Sequence, residues 1–265
     1  MQPLIPWFEP FSFDIGPVSI HGFGILVAIG FLVGGNVAMK KAVRFTGDPG
    51  AAERVNRLVG WLVLGTFVGG HLGDVLFYRP HLIAEDPMIL LRVWEGLSSF
   101  GGFAACVPLA IWFVRREKLP LWPYLDALAI AFSLGWFFGR MGCFSAHDHP
   151  GTQTNFWLGV YGVCPGNNLT VACHDLGLYE AIWSGLTYLL FVALDRKPRF
   201  HGFYVSLLAI LYGPFRFFLD FGRSSPVDVR YGGLTPAQYG AIVVTLLGLW
   251  MLATRSKTAA KPSFA

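Results

Sequence analysis

Charged residues are scarce in this chain. Only 14% of its 265 residues are Asp, Glu, Lys or Arg, whereas hydrophobic residues make up 54%. A water-soluble domain carries about 25% charged residues, so most of this chain is expected to be removed from water. The 32 glycines and 9 tryptophans agree with membrane-spanning helices, because Gly is enriched inside such helices and Trp at their interfaces.

Several sequence patterns are absent, and each absence argues against one kind of segment or one class of enzyme. Residues 1–17 hold no Lys or Arg, so they lack the basic region of a cleaved signal peptide. The chain has no HExxH pattern, no CxxC pair and no GxSxG pattern, which disfavours a zinc hydrolase and a serine hydrolase. The adjacent His147, Asp148 and His149 invite a metal interpretation, but neighbouring loop residues rarely complete a metal site. We expect no metal and no other cofactor.

Seven apolar stretches are long enough to be membrane helices, which need about 20 residues each. The prediction is an all-α, polytopic membrane protein that forms one membrane domain over residues 1–265. The seven predicted spans are 18–39, 58–78, 100–114, 121–141, 178–194, 202–221 and 237–254.

The placement of basic residues predicts the orientation of these spans. The connections 40–57, 115–120 and 195–200 and the tail after residue 253 hold fourteen Lys and Arg, and the other connecting segments hold four. Cytoplasmic loops carry the excess of positive charge. The N-terminus is therefore expected outside (periplasmic) and the C-terminus in the cytoplasm, which requires an odd number of spans. The net charge of +4 is explained by topology, and no nucleic-acid partner is expected.

Two arginines fall inside predicted spans. Arg140 lies at the end of the fourth span and Arg216 in the sixth. An ionisable residue within a membrane usually faces the bundle interior with a partner, and the planar guanidinium suits phosphate. Two alternatives stay open: Arg140 could snorkel to the interface, and Arg216 could form a structural ion pair with Asp220, four residues on.

The segment 142–177 is predicted to be an external loop, since it contains no Lys or Arg. It holds Cys164 and Cys173, nine residues apart, in a compartment where disulfides persist. Either a disulfide or two free thiols would fit this spacing.

Seven segments in order resemble the prolipoprotein diacylglyceryl transferase family over residues 11–254. They are GPVSIHGFGILVAIGF (16–31), GGHLGDVLFY (69–78), RVWEGLSSFGGF (92–103), GRMGCF (139–144), HDLGLYEA (174–181), YGPFRFFLDFGR (212–223) and GLTPAQ (233–238). The family is expected to have seven spans with an external N-terminus, in agreement with the charge distribution.

The resemblance implies a reaction in the bacterial inner membrane. The lipobox cysteine thiol of a prolipoprotein signal peptide would attack the glyceryl carbon bonded to phosphate in phosphatidylglycerol, which gives a thioether and glycerol phosphate. The partners implied are phosphatidylglycerol, the prolipoprotein and the bilayer.

The resemblance also implies roles for individual residues. Arg140 matches the family's lipid-binding arginine, with Gly142 allowing close approach, and Arg216 matches a second essential arginine. The remaining implied site residues are Arg223 at the phosphate and His21, His174, Tyr179 and Glu180 in catalysis.

This chain departs from the family pattern at several of these motifs. Phe100 stands where the family has an important histidine, and Cys143 stands where it has an asparagine. The other departures are Phe23 in place of a tyrosine, His71 in place of an arginine, and Asp175, Leu176 and Gly177 in place of a proline, a serine and a glutamine. The thiol's proton acceptor is then His174, His147 or His71, with His174 preferred, or the thiol ionises unaided, since a free Cys has a pKa near 8.5.

Two alternatives to an active transferase stay open. One is a paralogue with the same fold but another acceptor or lipid. The other is a non-catalytic protein that binds or transports lipid. A transporter would line a continuous polar path, whereas the polar residues here cluster in one half of the predicted spans.

Overall fold

The computed structural model describes residues 2–15, 18–77, 79–93, 96, 98–166, 168–223 and 230–259. The chain divides into two compact units. The first contains residues 1–38 and 125–265, and the second contains residues 39–124.

Helices dominate the described chain. They are α1 Gly22–Thr46, α2 Ala51–Phe77, the short α3 His81–Glu85, α4 Ser99–Arg116, α5 Leu121–Ala146, α6 Leu176–Leu194, α7 Phe203–Leu219 and α8 Pro236–Ala259. Single 3₁₀ turns occupy Pro87–Leu91 and Asp220–Gly222.

Six of the helices in the described residues are long and apolar enough to cross a membrane, namely α1, α2, α5, α6, α7 and α8. The prediction of a polytopic helical membrane protein is confirmed in this form. The remaining predicted span, 100–114, corresponds to α4, a helix of 18 residues with Pro108 inside it. Apolar side chains such as Leu186, Leu189 and Trp250 are more than half exposed, as expected for surfaces that face lipid.

The first unit also contains two small antiparallel sheets that an all-α prediction omits. Strands β1 Ser12–Ile15 and β2 Val18–His21 form a hairpin directly before α1. The first predicted span begins at residue 18 and so includes the whole of β2. The alternation of apolar and polar residues in so short a strand is hard to detect in the sequence when an apolar helix follows it directly. The loop after α5 contains strands β3 Pro150–Gln153, β4 Val160–Tyr161 and β5 Ala172–Asp175. They form a three-stranded sheet in the order β3–β5–β4.

A disulfide joins Cys164 to Cys173, whose Cα atoms lie 5.3 Å apart. Of the two states that the sequence left open, the disulfide is therefore the one present. Both cysteines are buried in a small apolar cluster with Val160 and Val163, against which Ile5 packs. The bridge ties β5 to the preceding loop and so fixes the strand that leads into α6.

Glycines let helices of the first unit approach closely. A Cβ added at Gly30 of α1 would fall 2.8 Å from the carbonyl oxygen of Gly135 in α5. Gly142, further along α5, is buried, and a Cβ there would fall 3.0 Å from the Phe23 ring. Small residues of this kind are the usual means of helix packing in membranes.

The start of α7 is fixed by a carboxylate from another helix. Asp126 of α5 is only 2% exposed. It accepts hydrogen bonds from the backbone N–H groups of Gly202 at 2.6 Å and Val205 at 3.0 Å. These N–H groups have no partner within the helix, so Asp126 satisfies them and fixes where α7 begins.

In the second unit, α2 and α4 meet through glycines. A Cβ added at Gly101 would lie 2.7 Å from the Cα of Gly73 and closer still to the carbonyl oxygen of Gly69. Both neighbours are backbone atoms, which cannot rotate away. The close approach of the two helices therefore depends on the absence of a side chain at residue 101.

Gly101→Ala is expected to lower the free energy of unfolding by about 1–3 kcal/mol, the usual cost of overpacking. Gly60→Ala is the matched control in α2, because a Cβ there meets no atom within 4 Å. That control should be neutral or slightly stabilising, since Gly in a helix interior costs about 0.5–1 kcal/mol relative to Ala. Unfolding of the purified proteins in detergent measures both, and equal stability of the two variants would contradict the described contact.

Candidate functional site

The C-terminal turns of α5, the start of α6 and the C-terminal half of α7 bring their ionisable residues together in the first unit. Arg140 and Cys143 lie on α5, Tyr179 and Glu180 on the first turn and a half of α6, and Arg216 on α7.

Glu180 is the most connected of these residues. Its side chain is about 2% exposed, and its Oε1 accepts hydrogen bonds from Trp136 Nε1 and Tyr212 OH, both at 3.0 Å. Its Oε2 lies 3.0 Å from Arg140 Nε. A buried carboxylate is tolerated only when it is paired and hydrogen-bonded, and Glu180 obtains its partners from α5 and α7.

Arg140 is held on two sides. Its guanidinium lies 4.5 Å from the centroid of the Trp136 ring, one helical turn earlier, and its Nε faces Glu180. Its Nη1 points elsewhere, 3.7 Å from Cys143 Sγ and 3.4 Å from His149 Nε2. The side chain is only 15% exposed, so Arg140 is a buried, paired cation and does not snorkel into water.

Arg216 belongs to a second cation–carboxylate group. Its Nη2 lies 3.1 Å from Asp220 Oδ1, and Arg223 Nε lies 3.6 Å from the same oxygen. The Thr235 hydroxyl donates to Asp220 Oδ2, so a fully buried carboxylate serves two arginines. The predicted i,i+4 pair of Arg216 and Asp220 is confirmed. Arg140 and Arg216 both act electrostatically on the Tyr212 phenol, whose hydroxyl donates to Glu180.

His174 and Tyr179 form a hydrogen-bonded pair at the junction of β5 and α6. The His174 Nδ1 lies 2.6 Å from the Tyr179 hydroxyl oxygen. Burial lowers the pKa of His174 below its usual value, which keeps the imidazole neutral at pH 7. The Phe156 ring, 44% exposed, lies 6.3 Å from both rings and forms an apolar surface beside them.

Asp175 explains why α6 begins where it does. Its Oδ1 accepts a hydrogen bond from Leu178 N at 2.9 Å, so Asp175 is the N-cap of α6. Its Oδ2 lies 3.8 Å from His147 Nδ1, too far for a hydrogen bond. Burial of this carboxyl raises its pKa to about 6. The cap sets the position of Tyr179 and Glu180 on the first turns.

Other predicted residues lie outside this group. His147 Nε2 donates a hydrogen bond to the Phe8 carbonyl oxygen at 3.0 Å, and the imidazole packs on the Phe8 ring. His71 belongs to the second unit and is fully buried, with its ring nitrogens facing the carbonyl oxygens of Ile89 and Gly96. Both histidines are therefore engaged with backbone.

Three further sequence expectations fall elsewhere. His21 ends β2 with an exposed side chain, and no contact described for it reaches the cluster. Gly142 packs against Phe23. This contact alone explains why residue 142 is a glycine, with or without a lipid nearby. Phe100 lies in the first turn of α4, and its side chain is outside the described part of the structure.

Sequence reasoning missed Trp136, Tyr212 and His149 as members of the site. Trp136 lies four residues before Arg140, a spacing that places the two on one helical face. Tyr212 begins the motif that contains Arg216 and has the same spacing. His149 was considered only as part of a metal cluster.

The geometry argues against a metal ion bound by Cys143, Asp148 and His149. The candidate ligand atoms of Cys143, Asp148 and His149 lie within 4.8 Å of one another. The Arg140 guanidinium contacts two of the three groups, and a fixed positive charge there opposes a bound cation. We therefore do not assign these residues as metal ligands.

The fold and the site define a polytopic membrane protein that buries two arginines against carboxylates near one end of its helices. Comparison with known proteins gives the family. The sequence profile of the family described as prolipoprotein diacylglyceryl transferase matches residues 10–254. The chain therefore belongs to the prolipoprotein diacylglyceryl transferase family.

Curated relatives match the chain over nearly its whole length. The phosphatidylglycerol–prolipoprotein diacylglyceryl transferase of Solidesulfovibrio magneticus is 33% identical over 256 residues, which cover 95% of this chain and 96% of that protein. The protein of the same name from Pseudomonas putida is 32% identical, covering 97% and 98%. That from Yersinia enterocolitica is 31% identical, covering 93% of each chain.

Glu180→Gln is expected to destabilise the protein by about 3–5 kcal/mol, because it leaves the buried Arg140 charge without its carboxylate. The glutamine oxygen can still accept from Trp136 and Tyr212, so the loss reports the charge. Glu117→Gln is the control, since Glu117 pairs with the half-exposed Arg57 and such pairs contribute about 0–1 kcal/mol. Denaturant unfolding in detergent compares them, and similar losses in both variants would contradict the role given to Glu180.

Proposed function

We propose that this chain transfers the diacylglyceryl group of phosphatidylglycerol to the lipobox cysteine thiol of prolipoproteins. The observation that carries the proposal is the match over nearly the whole chain to transferases of that name. The buried Arg140 and Arg216 support it, because the donor's phosphate must be bound and its growing charge stabilised.

The proposed reaction balances without a cofactor. The thiol sulfur attacks the glyceryl carbon that carries the phosphate, so a C–S bond forms and the C–O bond to phosphate breaks. The electron pair of that bond goes to the bridging oxygen, which leaves as glycerol phosphate. The thiol proton goes to a base on the protein.

Arg140 and Arg216 are the proposed phosphate ligands, with Arg223 beside them. Carboxylates hold Arg140 Nε and Arg216 Nη2 from behind, which pre-orients the guanidinium groups before lipid arrives. Fixed donors of this kind act most strongly where solvent is excluded. Preorganisation of these cations is the main contribution that the protein would make to the transition state.

His174 is the proposed base for the thiol. If its Nδ1–H donates to the Tyr179 oxygen, 2.6 Å away, then Nε2 keeps its lone pair for the thiol proton. Its lowered pKa favours the neutral form that accepts a proton. His147 and His71 are engaged with backbone carbonyls, which makes them weaker choices. Glu180 acts by positioning Arg140, and His21 has no proposed step.

The membrane arrangement is part of the proposal. We take α4 as a seventh span, with the N-terminus outside the bacterial inner membrane and the C-terminus in the cytoplasm. The unequal distribution of Lys and Arg supports this orientation. The Cys164–Cys173 disulfide also supports it, because disulfides persist on the oxidising side, and this bridge lies in the segment 142–177.

The first test is complementation of a bacterium depleted of its own transferase, with mass spectrometry of a lipoprotein's N-terminal cysteine. The wild-type chain should restore growth and the diacylglyceryl mass. Arg140→Lys keeps a charge but loses the planar fork, so transfer should fall about 10²-fold. Arg57→Ala, on an exposed ion pair, is the control. Unmodified lipoprotein in cells that contain folded wild-type protein would refute the proposal.

His174→Ala is expected to lower turnover about 10²- to 10⁴-fold at pH 7, the usual contribution of a general base. The wild-type rate should hold down to pH 6.5 and fall below it, because burial places the pKa of His174 under 6.5. The variant should instead gain rate towards pH 8.5 as the thiol ionises by itself. His201→Ala is the control. A normal rate in His174→Ala would favour unaided ionisation of the thiol.

A further inference from the structure

The segment GLTPAQ (233–238) has no part in the reaction steps given above, although it is one of the segments that match the family. In the structure it forms the start of α8. Pro236 is the first residue of that helix, a position that suits proline because its missing N–H group would have no partner there. The flanking polar residues Thr235 and Gln238 are buried, with 3% and 0% exposure, so each of them requires hydrogen-bond partners.

Thr235 and Gln238 form a capping box at the start of α8. The backbone N–H group of Gln238 donates to the Thr235 hydroxyl oxygen at 3.2 Å, and the backbone N–H group of Thr235 donates to Gln238 Oε1 at 2.9 Å. This exchange stabilises the helix start. It also leaves each side chain with a donor, the hydroxyl hydrogen of Thr235 and the amide group of Gln238, that can bond elsewhere.

Both of these donors reach the end of α7. The Thr235 hydroxyl donates to Asp220 Oδ2, and Gln238 Nε2 donates to the Phe217 carbonyl oxygen at 3.2 Å. Phe217 is among the last four residues of α7, whose carbonyl groups have no partner within the helix. The start of α8 therefore provides donors to a carbonyl and to a buried carboxylate at the end of α7.

The hydrogen bond from Thr235 fixes the orientation of the Asp220 carboxylate. Asp220 is 1% exposed, and its other oxygen, Oδ1, lies 3.1 Å from Arg216 Nη2 and 3.6 Å from Arg223 Nε. The terminal torsion of an aspartate has a broad energy profile, so this torsion alone does not keep Oδ1 towards the arginines. A donor held at Oδ2 supplies the missing restraint. The N-terminus of α8 adds partial positive charge, which favours a nearby carboxylate.

We infer that Thr235 and Gln238 are positioning residues of the phosphate site. Thr235 holds Oδ2 of Asp220 and so keeps Oδ1 directed at Arg216 and Arg223, while Gln238 fixes Thr235 and the end of α7. This inference rests on the proposed function, in which the two arginines bind the phosphate of the lipid. Oriented donors act most strongly on charge that grows in the transition state, so a loss of orientation should lower kcat more than it raises KM.

The first test measures transfer by the purified full-length protein in phosphatidylglycerol nanodiscs with a prolipoprotein peptide. Thr235→Val keeps the shape of the side chain but removes the hydroxyl, and kcat should fall about 10- to 100-fold, as expected for loss of a hydrogen bond to a charged group. KM for the lipid should change less. Thr235→Ser keeps the hydroxyl and should restore most of the rate. Thr245→Val is the matched control in α8, because the Thr245 hydroxyl donates to the Ala241 carbonyl of the same helix.

A double-mutant cycle tests whether Thr235 acts through Asp220. If it does, Thr235→Val should lower kcat in the wild-type background but have little effect in an Asp220→Asn protein, where the carboxylate is already lost. A cap that merely stabilises α8 would give the same fractional loss in both backgrounds, which would overturn the inference. Gln238→Met leaves the Thr235 hydroxyl in place and should show the same coupling, so the cycle does not depend on one variant that folds.

Binding of free glycerol phosphate to the same proteins gives a second readout, which does not require turnover. The wild type and Thr235→Ser should bind with similar affinity. Thr235→Val should bind about 10-fold or more weakly, because its arginines are no longer held by an oriented carboxylate. The midpoint of unfolding in detergent is measured for each variant, so that affinity and kcat are compared between folded proteins.

The outcomes separate this inference from the proposed function. Normal kcat and normal glycerol phosphate affinity in Thr235→Val would overturn the inference while the proposed transfer stands. A wild type that binds glycerol phosphate but transfers nothing, with binding weakened in Thr235→Val, would overturn the proposed function and support the positioning role. A folded wild type that neither binds glycerol phosphate nor transfers would overturn both.

Discussion

The site depends on one buried carboxylate. Glu180 is nearly inaccessible to solvent, and its partners Trp136, Tyr212 and Arg140 come from the two helices on either side of α6. A lone charge in such a place would be very unfavourable, so Glu180 requires these partners, and they in turn fix how α5 and α7 are rotated about their axes. The ion pair with Glu180 also orients the Arg140 guanidinium, so a requirement of folding fixes the group that we propose as a phosphate ligand.

Local relations could be predicted from the sequence, and distant ones could not. The Arg216–Asp220 pair follows from i,i+4 spacing alone, and the Cys164–Cys173 bridge follows from proximity within one loop. The spans follow from hydrophobicity, because lipid imposes it on every helix. The contact of Arg140 with Glu180 joins residues forty positions apart, and no periodicity within either helix indicates it. The hairpin before α1 was missed for a different reason, since the alternation in its four-residue strand VSIH is too short to stand out beside the apolar helix that follows.

Two departures from the family pattern are in contact with each other. A Cβ added at Gly177 would fall 3.1 Å from the Cβ of Cys143 and 3.1 Å from the backbone nitrogen of Phe144. Gly177 stands where the family has glutamine, and Cys143 where it has asparagine. A glutamine side chain would not fit at residue 177 unless the start of α6 moved away from α5. The two replacements are therefore neighbours in space, at the place where the start of α6 packs against α5.

Asp175 belongs to the same rearrangement. It replaces the family proline directly after His174, and it supplies the N-cap of α6 through Leu178 N. A proline side chain has no atom that could accept a hydrogen bond from the Leu178 N–H group. The cap of α6 in this chain therefore depends on the aspartate carboxylate. The aspartate's other oxygen is buried without a hydrogen bond. This burial is the reason for the raised pKa of Asp175, whereas the nearby His147 acts to lower it. The packing of α6 on α5 through Gly177 and Cys143 and the cap at Asp175 thus act on the same helix start, and they place Tyr179 and Glu180 against the groups they contact.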